Sequence, residues 1–155
     1  MQTPKFVPPS SVLKIHQAQI NRFGGIQGIR DAQLLESALA QPQATFGGTY
    51  LHPTIPSQAG AYLFHLCMNH AFLDGNKRTA LATAIAFLSV NHYELKLSGD
   101  EAFNLVCQVA AGEISKDELI SQLETVAQPL SENVPLLTDK AIDRESIYTR
   151  EDELL

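Results

Sequence analysis

Tryptophan is absent from this 155-residue chain, and cysteine and methionine occur only twice each. Cys67 and Cys107 each sit inside an apolar run, too few for the disulfide framework of a small secreted scaffold, and they read as core thiols. No apolar run approaches the ~20 residues needed to span a bilayer. The opening MQTPKFVPPS has no apolar core of the kind a secretory signal carries, so the expected compartment is cytoplasmic, with no membrane partner. Basic residues are also scarce: eleven Lys and Arg stand against seventeen Asp and Glu, for a net charge of −6. Residues 131–155 hold seven acids against Lys140, Arg144 and Arg150, a net −4, which leaves −2 for residues 1–130. Neither part has the basic footprint of a nucleic-acid binder, and a direct DNA or RNA target is excluded on that ground.

What the chain does have is 45% hydrophobic residues, enough for the core of one ordinary domain, set at helical spacing between clear punctuation. Ser10 and Ser11, after Pro8 and Pro9, are expected to cap a helix that runs to about Arg22 and stops at Gly24–Gly25. Asp31 is placed to cap AQLLESALAQ, which Pro42 stops. Residues 43–56 break the pattern with Gly47–Gly48, Thr49-Tyr50-Leu51, Pro53 and Pro56, and predict a loop or short irregular hairpin. A helix is expected from Ser57 to about Asn69. The run KRTALATAIAFLSVN, from Lys77 to about Asn91, is apolar nearly all round and predicts a central buried helix. Ser98 caps a fifth helix ending near Gly112. Ser115 with Glu118 forms an S-x-x-E capping box for a sixth, through about Ala127, ended by Pro129. Strand alternation is confined to 43–56 and Tyr93–Leu97. The fold class expected is all-α, with about six helices.

The chemistry concentrates in His70–Arg78. A tight turn between two helices needs Gly75, which tolerates positive φ and close approach of a ligand. The unpaired amides at the start of the next helix, with its dipole, make an anion site, and Lys77 and Arg78 add two positive charges there. Asp74 would oppose an anion unless Mg²⁺ lay between, the usual arrangement of a carboxylate beside bound phosphates. Histidine is the residue type best suited to take a proton from a hydroxyl near neutral pH, which makes His70 the candidate base. Phe72, between polar neighbours, is expected to point inward and anchor the loop. Each residue also has a plain structural use: a histidine before a loop as a hydrogen-bonder, Lys-Arg as solvated surface, Asp-Gly-Asn as turn chemistry. Only their co-occurrence within nine residues separates the two readings.

HAFLDGNKRTAL resembles the signature of the Fic/Doc (Fido-fold) family, H-x-F-x-D/E-G/A-N-G/K-R/K. With Lys77 after the asparagine, followed by Arg78-Thr79-Ala80-Leu81, it is similar to the death-on-curing (Doc) toxin branch. NRFGGIQGIRD at 21–31, the following LLESAL, and AAGEIS at 110–115 resemble other Doc-like stretches, so the likeness spans about residues 11–127. The resemblance implies a compact Fido-fold helical bundle over 1–130, followed by an acidic tail at 131–155. It also implies His70 as general base and Asp74 as the Mg²⁺ ligand. Gly75, Asn76, Lys77 and Arg78 would form the nucleotide-phosphate site, and a flap around Gly48, Thr49, Tyr50 and Leu51 would align the target. Fic AMP-transferases usually have glycine where this chain has Lys77 and a second arginine where it has Leu81. In Doc-like members those changes go with an inverted nucleotide and transfer of the ATP γ-phosphate to a protein hydroxyl. Elongation factor Tu is the target implied, and a separate antitoxin the partner. Met68 stands where Doc-like relatives can carry arginine, and Arg22 is the candidate to supply that charge. Transfer of AMP, and a non-catalytic binding module, remain the competing readings.

His65 and His70 are five apart, off the spacing of a shared helical metal face. His16 and His52 could line a cleft, with capping or surface roles the plainer reading, and Cys67 reads as packing. The tail composition suits either a docking helix or an unstructured appendage. Thr149 and Glu153 match the start of the S/T-x-x-x-E-G/N inhibitory pattern, whereas Leu154 does not match its end.

Overall fold

Six helices follow one another in the computed structural model, which describes residues 3–130: α1 (Pro9–Phe23), α2 (Ala32–Ala40), α3 (Ile55–Met68), α4 (Asn76–Val90), α5 (Gly99–Ala110) and α6 (Lys116–Val126). The tail expected over 131–155, with its docking and inhibitory readings, lies outside the described residues. Every residue of α4 from Thr79 to Val90 is buried, so this helix is the axis of the core. Helix α3 lies along it and packs α6 on another side. The two short sheets are antiparallel pairs, β1 (Thr45–Phe46) with β2 (Thr49–Tyr50), and β3 (Tyr93–Leu95) with β4 (Ala127–Pro129). The all-α class and the six-helix bundle stand. No helix among the described residues is long and apolar enough to cross a membrane.

Helix starts depart from expectation in two places. Helix α1 begins at Pro9, with Pro8 at its N-cap and no capping side chain, so Ser10 and Ser11 lie inside the first turn. Proline suits that position because its φ is already helical and it lacks an N–H that would otherwise go unpaired. Helix α3 begins at Ile55 rather than Ser57. Thr54 Oγ1 accepts from the Ser57 amide at 3.1 Å, and Ser57 Oγ accepts from the Thr54 amide at 2.9 Å, a reciprocal box that moves the start forward by two residues. At the other end of the chain, α6 stops at Val126, because Ala127–Pro129 leave it to pair with Tyr93–Leu95. Such a short strand of Ala, Gln and Pro carries no alternation of its own and exists through its partner.

Within the 43–56 segment, Thr45–Phe46 and Thr49–Tyr50 form a hairpin whose two-residue turn is Gly47–Gly48, with φ of 60° and 81°. Positive φ at both positions is what a tight hairpin turn of this hand requires. Tyr50 packs edge-on against Phe6 at 5.9 Å, and Phe6 stacks on Phe87 of α4 at 5.7 Å, which ties the hairpin to the core through the N-terminal segment.

At Gly60 helix α3 packs tightly on α6: a Cβ there would lie 2.7 Å from Ile120 Cγ1. Overpacking of a close contact costs about 1–3 kcal/mol. Gly60→Ala should therefore lower the unfolding free energy by that amount, seen as a lower urea midpoint, although alanine is the better helix former. An unchanged or raised midpoint would show that the two helices can separate freely.

Candidate active site

The loop 70–75 joins α3 to α4, and its shape is set by neighbours rather than by its own sequence. His70 has φ 50°, a left-handed conformation that costs a non-glycine residue about 1–3 kcal/mol unless its surroundings hold it. Arg30 holds it, donating from Nε to the His70 carbonyl at 2.6 Å and from Nη2 to the Asn69 carbonyl at 3.2 Å. The Ala71 carbonyl accepts from the amides of Arg30 (2.7 Å) and Asp31 (3.0 Å), and the Leu73 amide donates to the Gly28 carbonyl at 3.0 Å. Ile29 and Phe72 form an isolated antiparallel bridge between the same two segments. Asn76 closes the loop from within: its Oδ1 accepts from the Phe72 amide and its Nδ2 donates to the Phe72 carbonyl, each at 3.0 Å. The Asn76 side chain is thus engaged in shaping the loop.

Phe72 is 2% exposed and lies flat against His16, with ring centroids 3.8 Å apart and an 8° interplanar angle. His16 Nε2 also meets the Asp74 carbonyl at 2.8 Å, so Nε2 carries the proton that is donated. Burial lowers the His16 pKa, opposed by that hydrogen bond and by the Asp74 charge, which favours the neutral ring. His16 is therefore buried under the loop rather than a capping or surface residue. His52 too is buried, at 8% exposure. A signal for His16 was present in the sequence, since it lies with Val12, Gln19 and Ile20 on one helical stripe.

Gly75, with φ 77°, is the N-cap of α4, and no side chain among the described residues caps this helix, unlike Ser98 on α5 and Ser115 on α6. The amides at the head of the buried helix are left for another partner. They open on a cavity of about 500 Å³ that His70, Asp74, Gly75, Asn76, Lys77 and Arg78 all line. Asp74 is exposed and accepts from the Gly75 amide at 2.9 Å and the Ile26 amide at 3.2 Å. Gly25 permits this, because a Cβ there would lie 2.7 Å from Asp74 Oδ2. One exposed carboxylate at the rim of a cavity holding two cations fits a Mg²⁺ ion that arrives with phosphate and keeps most of its ligands as water and phosphate oxygens.

Gln19, Phe23 and Phe103 also line the cavity, and sequence reasoning did not place them there. Phe23 continues the α1 stripe, whereas nothing in the local sequence of α5 connects Phe103 with the motif. Cys67 reaches the same cavity, but burial pushes its thiol up to about 11, so it is protonated and suits packing rather than nucleophilic attack. Arg22 is exposed near the end of α1, and neither it nor the hairpin residues Gly48, Thr49, Tyr50 and Leu51 are among those lining the cavity. Met68 is half-buried against the core and Leu81 is fully inside it.

Comparison with known proteins identifies residues 6–88 with the Fic/DOC family. A protein named Toxin Doc from Mycolicibacterium smegmatis is 41% identical over 103 residues, covering 65% of this chain and 79% of that protein. Protein kinase doc of Escherichia phage P1 is 30% identical over 119 residues, covering 77% of this chain and 93% of the phage protein.

The His16 contacts separate into a stack and a hydrogen bond, and two substitutions should divide them. His16→Ala removes both and leaves a cavity, an expected loss of about 2–5 kcal/mol in unfolding free energy. His16→Phe keeps the stack on Phe72 and gives up the bond to Asp74, at a cost of about 1 kcal/mol. Urea titrations check the order. Equal losses in the two variants would mean that the stack does not support the loop.

Proposed function

The chain belongs to the Fic/DOC family, and from that premise we propose that it is a Doc-like toxin that phosphorylates a protein hydroxyl from ATP. The observation that carries this reading is Lys77 at the head of α4, beside His70, Asp74 and Arg78 in one cavity. A glycine at 77 would leave room for a diphosphate against the helix N-terminus, whereas lysine fills part of that space and adds a charge. The phosphates then lie with the γ-phosphorus toward His70. One relative's name, a protein kinase, favours the same direction of transfer.

In the reaction, His70 takes the proton of the acceptor hydroxyl as its oxygen attacks the γ-phosphorus. The bond from that phosphorus to the β–γ bridging oxygen breaks, and ADP leaves. Lys77, Arg78 and the first amides of α4 hold the phosphate oxygens, and Asp74 holds Mg²⁺. The metal supplies neutralisation of phosphate charge. There is little covalent chemistry for the protein to do, so positioning and charge stabilisation provide most of the rate. The acceptor implied by the family resemblance is elongation factor Tu, in the cytoplasm, and the partner that silences the toxin is a separate antitoxin protein. Residues 1–130 are the catalytic domain in this reading.

Two measurements test it. ATP labelled separately at the α and γ positions, with Mg²⁺ and elongation factor Tu, should leave only γ-label on the acceptor. Label from the α position, with pyrophosphate released, would replace this reading with AMP transfer. No label from either position would favour a binding module. His70→Ala should lower the transfer rate by about 10²–10⁴-fold while ATP affinity stays near that of the unsubstituted protein. A full rate in that variant would remove His70 from the chemistry.

A further inference from the structure

Three helices that are distant in sequence converge on one side chain in the cavity. The Arg78 guanidinium carbon lies 3.9 Å from the centroid of the Phe23 ring and 5.0 Å from that of Phe103. Phe23 is the last residue of α1, where Gly24 turns the chain away with φ 82°. Phe103 comes from the first half of α5 and packs against the core. Arg78 itself is in the first turn of α4. Its Nη1 is buried and has no hydrogen-bond partner among the described residues.

We propose that Phe23 and Phe103 are positioning residues, whose ring faces clamp the Arg78 guanidinium so that its edge donors stay free for the phosphate oxygens of a bound nucleotide. This rests on reading the cavity as a nucleotide site. A guanidinium is planar: its faces interact with aromatic rings, while its N–H groups point outward from its edge. Fixing it by a carboxylate would also hold it still, but would use those N–H groups and cancel the charge that a phosphate needs. Fixing it by two rings holds the plane and spends neither. The two rings are not interchangeable, since Phe23 is nearer the charge by about 1 Å.

Ring fluorination tests this without changing the shape of the side chain much, because fluorine withdraws electron density from the ring face and weakens its attraction for a cation. Phenylalanines carrying one, two and three ring fluorines would be placed at position 23, and separately at position 103. The dissociation constant for ATP with Mg²⁺ would be measured by calorimetry on each folded protein. Affinity should fall stepwise with fluorine number, by about 2- to 30-fold in all, the range that cation–π strengths span between exposed and desolvated sites. The series at 23 should be the steeper. Arg78→Gln, measured alongside, should weaken ATP binding and flatten both series. Affinity independent of fluorine number, with Arg78→Gln still weakened, would overturn the clamp and leave the nucleotide reading standing. Arg78→Gln binding ATP as well as the unsubstituted protein would overturn the nucleotide reading at Arg78 and the clamp with it.

Discussion

The Ala71 carbonyl accepts two amide hydrogens, from Arg30 at 2.7 Å and Asp31 at 3.0 Å, and the geometry of the site depends on that contact. Asp31 at the same time caps α2 through the Leu34 amide at 3.0 Å, and Arg30 at the same time grips the carbonyls of Asn69 and His70. A single short segment, 26–31, therefore fixes the start of one helix and the conformation of the loop between two others. Without it the left-handed backbone at His70 would be uncompensated strain. With it, the loop needs little ordering when a ligand arrives, which is the saving that a preformed site provides. Aromatic contact completes the support from below, where His16 lies against Phe72.

Electrostatically the site runs against the whole molecule. The chain carries −6 overall, yet the mouth of α4 gathers Lys77, Arg78 and uncapped amides at the end of a helix buried from Thr79 onward. A helix dipole acts most strongly within its first turn and where solvent does not screen it. Asp74 is the counterweight. Its carboxylate is held by amides rather than by either cation, so acid and base stand side by side without cancelling. That separation is what a site for a phosphate accompanied by a divalent cation requires, and a surface ion pair between the same residues would have abolished it.

Much of this was legible in the sequence, because the signals are local. Punctuation by Gly24, Asp31, Pro42, Ser98 and Ser115 predicted the helix order, and the unbroken apolar run after Lys77 predicted the buried axis. The nine-residue motif brought its own polar groups together simply by being one tight loop. What was not legible came from pairings at a distance. β4 exists only through β3, and Thr54 displaced Ser57 at the start of α3 by a reciprocal bond with that same serine. His16 shares a helical stripe with Val12, Gln19 and Ile20, yet nothing local indicates the Asp74 carbonyl that satisfies it. Phe103, some 25 residues beyond Arg78 in the chain, reaches the cavity only because α5 packs against α4.

The central claim is that the loop carrying His70 and Asp74 is held in its working shape by 26–31 before any ligand binds. Amide hydrogen exchange in the nucleotide-free protein measures this directly at Arg30, Asp31 and Leu73, whose N–H groups make the three bridging bonds. If the account is right, these amides exchange slowly without nucleotide, with protection comparable to that of amides in the buried part of α4, and ATP with Mg²⁺ adds little. Fast exchange at all three in the free protein, slowed only once nucleotide is added, would contradict it and show a loop that the ligand has to build.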